Sequence, residues 1–172
     1  MLLKRLAVFA VAAVGIGVIG LLLYGELRTL QVQRDPQQKR FLAGRLPSPP
    51  PKGFYAGSVP GLKDSPWQGK RFDPAEASGI NIFLQQGKVT AQYPFRTSTG
   101  AGARDPQVQV LRINYNNPAN PWWVRLFLDE VVAVKPGHLL GKLSLELLPG
   151  HPYQITFFEL RQDASRYRSE PD

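Results

Sequence analysis

The stretch LLGKLSLEL, residues 139–147, indicates most directly how this chain folds. Apolar positions alternate along it with Lys142, Ser144 and Glu146. A period of two is typical of a β-strand that turns one face toward a core and the other toward water. Pro-Gly pairs at 136–137 and 149–150 flank the stretch and predict hairpin turns at both ends. The stretch therefore predicts one strand of an antiparallel β-meander.

Similar runs occur toward the N-terminus and after the second turn. Residues 89–95 alternate in the same way, and further candidate strands lie at 67–72, 79–84, 107–115, 128–134 and 153–160. The phase breaks within 107–115, which either a bulge or burial of both faces would explain. Asp73-Pro74 and Asn120-Pro121 each predict the start of a short helix.

Together these patterns predict a mainly β fold over residues 66–162. About seven strands with one or two short helices are expected, arranged as a small antiparallel barrel or a strongly curved sheet. A barrel of about eight strands has an interior that fits either its own side chains or one small ligand.

The N-terminus carries a different pattern. Residues 6–24 (LAVFAVAAVGIGVIGLLLY) contain no charge and follow a basic tail, residues 1–5, that includes Lys4 and Arg5. As a helix this segment is roughly 28 Å long, close to the ~30 Å hydrocarbon core of a bilayer. A cleaved signal peptide has an apolar region of only about 7 to 15 residues and a small-residue cleavage site. The segment therefore predicts an uncleaved, single-pass transmembrane helix that acts as a signal-anchor.

Residues 25–65 predict a basic, Pro-rich spacer between this helix and the barrel. They hold seven Lys and Arg residues against three acidic ones, and residues 47–51 (PSPPP) predict a stiff polyproline segment. Such a stretch binds anionic lipid headgroups, although a solvated linker explains it equally well. Residues 163–172 predict a flexible tail.

The orientation in the membrane follows from the flanking charges, which are divided. Lys4 and Arg5, nearest to the span, favour an N-terminus inside the cell, whereas the wider count downstream favours the reverse. We expect the first arrangement. It places the C-terminal domain on the extracytoplasmic side of the inner or plasma membrane, with membrane lipids as partners.

Composition narrows the classes of function. Twenty-one Lys and Arg residues against thirteen acidic ones give a net charge of +8, and the chain has no cysteine. Disulfides, thiolate metal sites and cysteine nucleophiles are thereby excluded. Basic residues of the domain are scattered rather than interleaved with aromatic ones, so we expect no nucleic-acid partner.

No catalytic or metal-binding constellation is evident. His138 and His151 stand at opposite ends of one predicted strand, roughly 30 Å apart, so we expect no shared metal ion and no cofactor. Asp129 and Glu130 are neighbours on a strand, whose side chains point to opposite faces. We therefore expect a protein that is not an enzyme. A hydrolase or isomerase that uses one of these carboxylates is an alternative, and it requires that carboxylate to be buried beside a cavity.

The aromatic residues of the domain suggest a binding site, although filling of the core would explain them too. An apolar pocket is expected, with one or two of Lys70, Arg96 and Arg112 orienting an anionic head. The candidate ligand-binding residues are Trp67, Lys70, Tyr93, Phe95, Arg96, Arg112, Tyr115 and Phe157.

A second candidate surface surrounds the paired tryptophans. Trp122 and Trp123 follow a proline and precede Arg125, a combination expected either at a membrane interface or at a contact with a partner protein.

Several motifs of the domain resemble those of bacterial lipocalin-like domains. These are residues 66–72 (PWQGKRF), 79–83 (GINIF), 129–131 (DEV) with 140–143 (LGKL), and 157–160 (FFEL), and the Trp-x-Gly-Lys start is also similar to that of GXWXG-type domains. The resemblance implies a calycin-type barrel that binds a lipid or another apolar small molecule. We thus expect a membrane-anchored binding domain, or alternatively a structural subunit with a filled barrel that docks a membrane protein complex.

Overall fold

Two helices precede an eight-stranded sheet in the computed structural model, which describes the backbone of residues 2–163 and the side chains of residues 17–163. The helices are α1 (Leu2–Arg34) and α2 (Pro36–Leu42). The strands are β1 (Gly53–Ser58), β2 (Trp67–Asp73), β3 (Ser78–Gln85), β4 (Lys88–Ala101), β5 (Gln109–Asn114), β6 (Phe127–Lys135), β7 (His138–Leu148) and β8 (His151–Gln162). A 3₁₀ helix, Val124–Leu126, leads into β6.

The sheet closes into an antiparallel barrel. Each strand pairs with the next along the chain, and β1 pairs with β8, where Tyr55 faces Gln162. The mainly β, antiparallel barrel is therefore confirmed, with eight strands instead of about seven. The additional strand, β1, lies within residues 25–65, and the barrel thus begins at Gly53 rather than at residue 66. Without β1, the edges of β2 and β8 would remain unpaired.

Of the two short helices expected inside the barrel domain, one is a turn and the other is a short 3₁₀ helix. Asp73 caps its turn as expected, since its Oδ1 accepts a hydrogen bond from the Ala75 amide at 3.1 Å. However, Asp73 pairs directly with Ser78, and Ala77 adopts a left-handed conformation with φ of 45°. The β2–β3 connection is therefore too short for a helix. The Asn120-Pro121 turn leads only into the three-residue 3₁₀ helix.

The barrel has two distinct ends. The connections β2–β3, β4–β5 and β6–β7 lie at one end, here called the packed end, and the remaining connections between strands lie at the other, the mouth end. Buried side chains fill the interior mainly toward the packed end, with aromatic rings in edge-to-face contact. This inner cluster comprises Tyr55, Phe72, Phe95, Leu111, Ile113, Tyr115, Val124, Val131, Leu139, Phe158 and Leu160.

The outer wall of the barrel is covered on one side by the helices. A second group of buried side chains, the outer cluster, consists of Val32, Phe41, Val108, Val110, Val132, Leu140 and Phe157. Val108 and Val110 therefore face outward to this cluster, whereas Leu111 and Ile113 face inward. Burial of both faces accounts for the broken phase of residues 107–115.

The C-terminal part of α1 lies along β8. Arg28 Nε donates to the Ile155 carbonyl at 3.0 Å, and the Gln154 amide donates to Thr29 Oγ1 at 2.9 Å. Gly25 lies so close to the Tyr153 ring that a Cβ at this position would approach within 2.5 Å. Residues 25–34 are thus packed helix rather than spacer. Because the contacts begin at the mouth end of β8 and proceed toward the packed end, the part of α1 that precedes Gly25 extends beyond the mouth end.

Helix α1 contains the whole of the predicted anchor, residues 6–24. Within the residues that the structure describes, no helix is long and apolar enough to cross a membrane. The side chains of residues 6–16 of the anchor lie outside the described residues, as do residues 164–172 of the predicted tail.

Candidate functional site

A cavity of about 270 Å³ occupies the mouth end of the barrel. This volume is near the lower end of the range of ligand pockets, ~300–1,000 Å³, and well above the ~150 Å³ that holds a benzene. Trp123, one of the lining residues, is 46% exposed, so the cavity reaches the surface. Its walls are Val59, Ser65, Trp67, Lys70, Asn81, Phe83, Tyr93, Tyr115, Trp123, Val124, Phe127, Asp129, Leu143, Thr156 and Phe158.

An irregularity in β2 brings two of these residues into the cavity together. Trp67 and Lys70 are three positions apart, which strict alternation would place on opposite faces. The register of β2 against β3 shifts between Trp67 and Gly69, and this bulge returns both side chains to the interior. Gly69 has φ of 137°, and a Cβ there would lie 2.0 Å from the Tyr55 carbonyl oxygen, so only glycine fits.

A buried ion pair lies at the base of the cavity. Lys70 Nζ is 2.9 Å from Asp129 Oδ2, and the side chains are only 3% and 2% exposed. The Tyr115 hydroxyl donates to the same carboxylate oxygen at 2.8 Å. Lys70 also donates to Asn81 Oδ1 at 2.8 Å and to the Tyr115 oxygen. We call Lys70, Asn81, Tyr115 and Asp129 the polar floor.

Aromatic rings surround the charge of Lys70. Its Nζ lies 5.2–5.4 Å from the ring centres of Trp67, Phe95, Tyr115 and Phe158. Rings at such distances attract a cation through their negative faces, and this attraction strengthens in a site away from water. The rings therefore supplement the ion pair in holding a charge inside the barrel.

The electrostatic setting of the floor shifts two pKa values. Burial lowers the pKa of the Lys70 ammonium, and the charge of Asp129 opposes that effect. Burial also raises the pKa of the Tyr115 phenol well above its ordinary value, and Asp129 adds to this rise. Tyr115 is thus a neutral hydrogen-bond donor at every physiological pH.

Of the eight predicted ligand-binding residues, four line the cavity: Trp67, Lys70, Tyr93 and Tyr115. Phe95 belongs to the inner cluster, where its ring packs against that of Tyr115 at 5.7 Å. It supports the floor from below rather than contributing to the wall.

The other three predicted residues lie outside the cavity. Arg96 is exposed, because it follows the inward-facing Phe95 on β4. Arg112 lies between two inward-facing residues and therefore points outward, where its Nε is 4.0 Å from Glu130 Oε1. Phe157 belongs to the outer cluster and packs against Phe41 of α2, with 6.2 Å between the ring centres. Neither arginine can orient a ligand inside the barrel.

The predicted interface residues have different positions. Trp122 is 73% exposed at the mouth end, whereas Trp123 lines the cavity and packs against Tyr93 at 6.0 Å. Arg125 donates to the carbonyls of Asn120 and Pro118 at 2.9 and 2.8 Å. Arg125 therefore fixes the shape of the β5–β6 connection.

Sequence reasoning did not identify Asn81, Phe83 or Phe158 as parts of the site. Asn81 is a single polar residue between Ile80 and Ile82, so its immediate neighbours do not show which face it occupies. Only Phe83, two residues later and therefore on the same face of the strand, places Asn81 toward the interior. Phe158 could not be separated from Phe157 by side-chain type, because both faces of β8 are buried at this point.

The two adjacent carboxylates point to opposite faces, as expected. Asp129 lines the cavity, so it fulfils the condition of a buried carboxylate beside a cavity. Glu130 lies on the outer wall, where its Oε1 accepts a hydrogen bond from the Ala103 amide at 2.6 Å. Burial raises the pKa of Glu130, although this amide and the nearby Lys142 act in the opposite direction.

The histidines are separated by the length of β7. His138 contacts Glu159 with 3.2 Å between Nε2 and Oε2, and His151 contacts Glu26 of α1. Across the described part of the chain, no group of three His, Cys, Asp or Glu side chains is suitably placed for a metal ion.

Comparison with known proteins adds a single result. No protein-family model and no curated protein matches the chain. One solved structure, described as a protein from Thermomonospora curvata, is similar with a TM-score of 0.49 and 16% sequence identity, over 70% of this chain and 80% of that one.

Proposed function

We propose that this protein is a membrane-anchored, non-enzymatic, lipocalin-like domain that binds a lipid or another apolar small molecule near the bilayer. The observation that carries the proposal is the cavity of about 270 Å³ inside the barrel, which reaches the surface beside Trp123. Its walls are mainly aromatic and aliphatic, and its two charged side chains lie together in the polar floor at the base. An apolar chamber with a small polar group at one position is typical of ligand-binding sites.

The surface around the mouth end supports the proximity to lipid. Six of the large apolar side chains that are more than a third exposed belong to the connections at this end or to the adjoining strand ends: Leu62, Leu84, Val89, Trp122, Trp123 and Leu148. The part of α1 that extends beyond the same end exposes Val18, Ile19, Leu21 and Leu23. Exposed apolar patches of this kind mark contacts with membranes or proteins, and tryptophan is enriched at membrane interfaces.

In this proposal the uncharged segment 6–24 anchors the chain and the mouth of the barrel faces the bilayer. An apolar ligand could then enter the cavity without crossing water. The barrel lies on the extracytoplasmic side of the inner or plasma membrane, since Lys4 and Arg5 immediately precede the anchor.

The test measures binding of 1-aminonaphthalene, a neutral fluorophore of ten carbons, to the full chain in lipid nanodiscs. We expect saturable binding at one site. Leu143→Trp, which adds an indole to the cavity wall, should weaken it at least tenfold, because the larger side chain takes up much of the volume. Glu76→Trp adds the same group in the exposed β2–β3 connection and should leave binding unchanged.

Equal binding by the wild-type chain and Leu143→Trp would contradict a ligand site in the cavity. Absence of saturable binding by the wild-type chain would favour the alternative, a structural subunit that docks a membrane protein complex.

A further inference from the structure

In the polar floor the hydrogen-bond donors have partners, whereas one acceptor among the described residues has none. An ammonium has three N–H donors. Those of Lys70 have three acceptors in place: Asn81 Oδ1 at 2.8 Å, the Tyr115 oxygen, and Asp129 Oδ2 at 2.9 Å. No N–H of Lys70 is left for a ligand.

The other donors of the floor are occupied as well. The Tyr115 hydroxyl donates to Asp129 Oδ2 at 2.8 Å. The Asn81 amide donates to the Tyr93 carbonyl at 3.2 Å and to the Tyr115 oxygen at 3.3 Å. Trp67, directly above, donates its indole N–H to Asn81 Oδ1 at 3.0 Å.

One acceptor is left over. Asp129 Oδ1 is buried and has no hydrogen-bond partner among the described residues. Asp129 lines the cavity, and a small turn of its carboxylate would bring this oxygen within reach of a ligand at the base. A buried acceptor without a partner is costly, so a ligand that supplies a donor gains the free energy of satisfying it.

The charge of the floor is also balanced. Lys70 is the only cation among the described residues that line the cavity, and Asp129 already neutralises it. A carboxylate entering the cavity would have to separate this pair or remain without a counter-ion in an apolar chamber. Ser65 and Thr156 also line the cavity, but neutral hydroxyls cannot balance such a charge.

We propose, resting on the proposed binding function, that the ligand is an apolar molecule with a neutral hydroxyl head that donates to Asp129, and that the cavity excludes the corresponding carboxylate. This reverses the anionic head expected from the basic residues of the sequence. Since ~150 Å³ holds the six carbons of benzene, the observed volume suits a chain of about ten carbons.

The experiment compares 1-decanol with decanoate as competitors of 1-aminonaphthalene, using the full chain in nanodiscs at pH 8. The Leu143→Trp chain in identical nanodiscs corrects for partition of each competitor into lipid. We expect decanol to displace the fluorophore at a concentration at least tenfold below that of decanoate.

A second arm changes the charge of the floor. In Asp129→Asn the carboxylate is replaced by an amide, so Lys70 loses its counter-ion and gains the ability to pair with an anion. The ratio of decanol to decanoate affinity should fall at least tenfold, toward or past equality. If this variant does not fold, the wild-type comparison still decides.

The outcomes separate the two proposals. Failure of 1-aminonaphthalene to bind the wild-type chain overturns the binding function itself. Binding of the fluorophore together with equal or stronger displacement by decanoate, or no displacement by decanol, overturns only the hydroxyl head.

Discussion

Replacing Lys142 with methionine should destabilise the contact between the helices and the barrel. Lys142 is fully buried on the outer wall, where it donates to Asp105 Oδ2 in the β4–β5 connection. Asp105 in turn accepts a hydrogen bond on Oδ1 from Gln38 of α2 at 2.8 Å. The ammonium also lies 4.2 Å from the ring centre of Phe41. The substitution therefore removes the ammonium that connects β7 to the β4–β5 connection and, through Asp105 and Phe41, to α2.

The expected loss is about 3–5 kcal/mol of unfolding free energy, the usual cost of removing one partner of a buried ion pair. Asp105 then loses the ammonium that neutralises it, and Glu130, which faces Lys142 across β6 and β7, keeps only Arg112 at 4.0 Å. Coulomb attraction of one such pair is worth about 4 kcal/mol at an effective dielectric constant of ~20, which agrees with this range. Lys142→Met combined with Asp105→Asn should recover about 2 kcal/mol, because asparagine is neutral and can still accept from Gln38.

Urea denaturation of the full chain in detergent micelles, followed by near-ultraviolet circular dichroism, gives the unfolding free energies of the wild type, both single variants and the double variant. Hydrogen exchange of the α2 amides gives a local readout, and these amides should lose protection in Lys142→Met. A loss below about 1 kcal/mol, or additive effects in the double variant, would refute the argument that the pair is buried and coupled.

Two further predictions concern pH and the membrane. Burial acts to raise the pKa of Glu159, but hydrogen bonds from Arg40 and Arg161 outweigh it and, with the charge of His138, lower the pKa from 4.5 to about 2. This stabilisation is complete above pH 4.5 and is lost as pH falls toward 2. Glu159→Gln should therefore reduce the difference in unfolding free energy between pH 7 and pH 2 by about 1 kcal/mol, a value kept small because both arginines are exposed to solvent. An unchanged difference would contradict this prediction. In nanodiscs of brominated lipid, the tryptophan emission of the protein should be quenched. Trp122→Phe should remove the largest share of this quenching, because Trp122 is 73% exposed. Equal quenching in the variant would contradict contact of the mouth end with lipid.

Much of the fold could be predicted from alternation alone. All seven predicted strands are present, because each has one face toward the interior and a turn at its end, although β4 continues to Ala101, well past its predicted end. The strand β1 was not predicted, since Gly53, Phe54 and Tyr55 are all buried and show no alternation. The packing of α1 and α2 on the outer wall could not be predicted from the alternation of the strands beneath them. Only the broken phase of residues 107–115 indicates a second buried face there.

The candidate site was only partly predictable. Trp67 and Tyr93 could be identified as large side chains on inward faces. The bulge at Gly69, however, decides the direction of Lys70, and a bulge is set by tertiary contact with the Tyr55 carbonyl rather than by local sequence. The partner of Lys70 was equally hidden, because Asp129 follows it by more than fifty positions and meets it only when the barrel closes.

Closure of the barrel has a consequence for how the protein is made. Strand β8 leaves the ribosome after the other seven strands of the barrel, yet it pairs with β1 and packs against the C-terminal part of α1, where the Gln154 amide donates to Thr29, 125 residues earlier in the chain. Until β8 emerges, β1 and β7 each have one unpaired edge, and the face of α1 that meets Tyr153 is uncovered. Nascent chains of this protein are therefore exposed to wrong strand pairing from the emergence of β1 until that of β8. The cavity itself comes into existence only in the final step, when the last strand completes its wall.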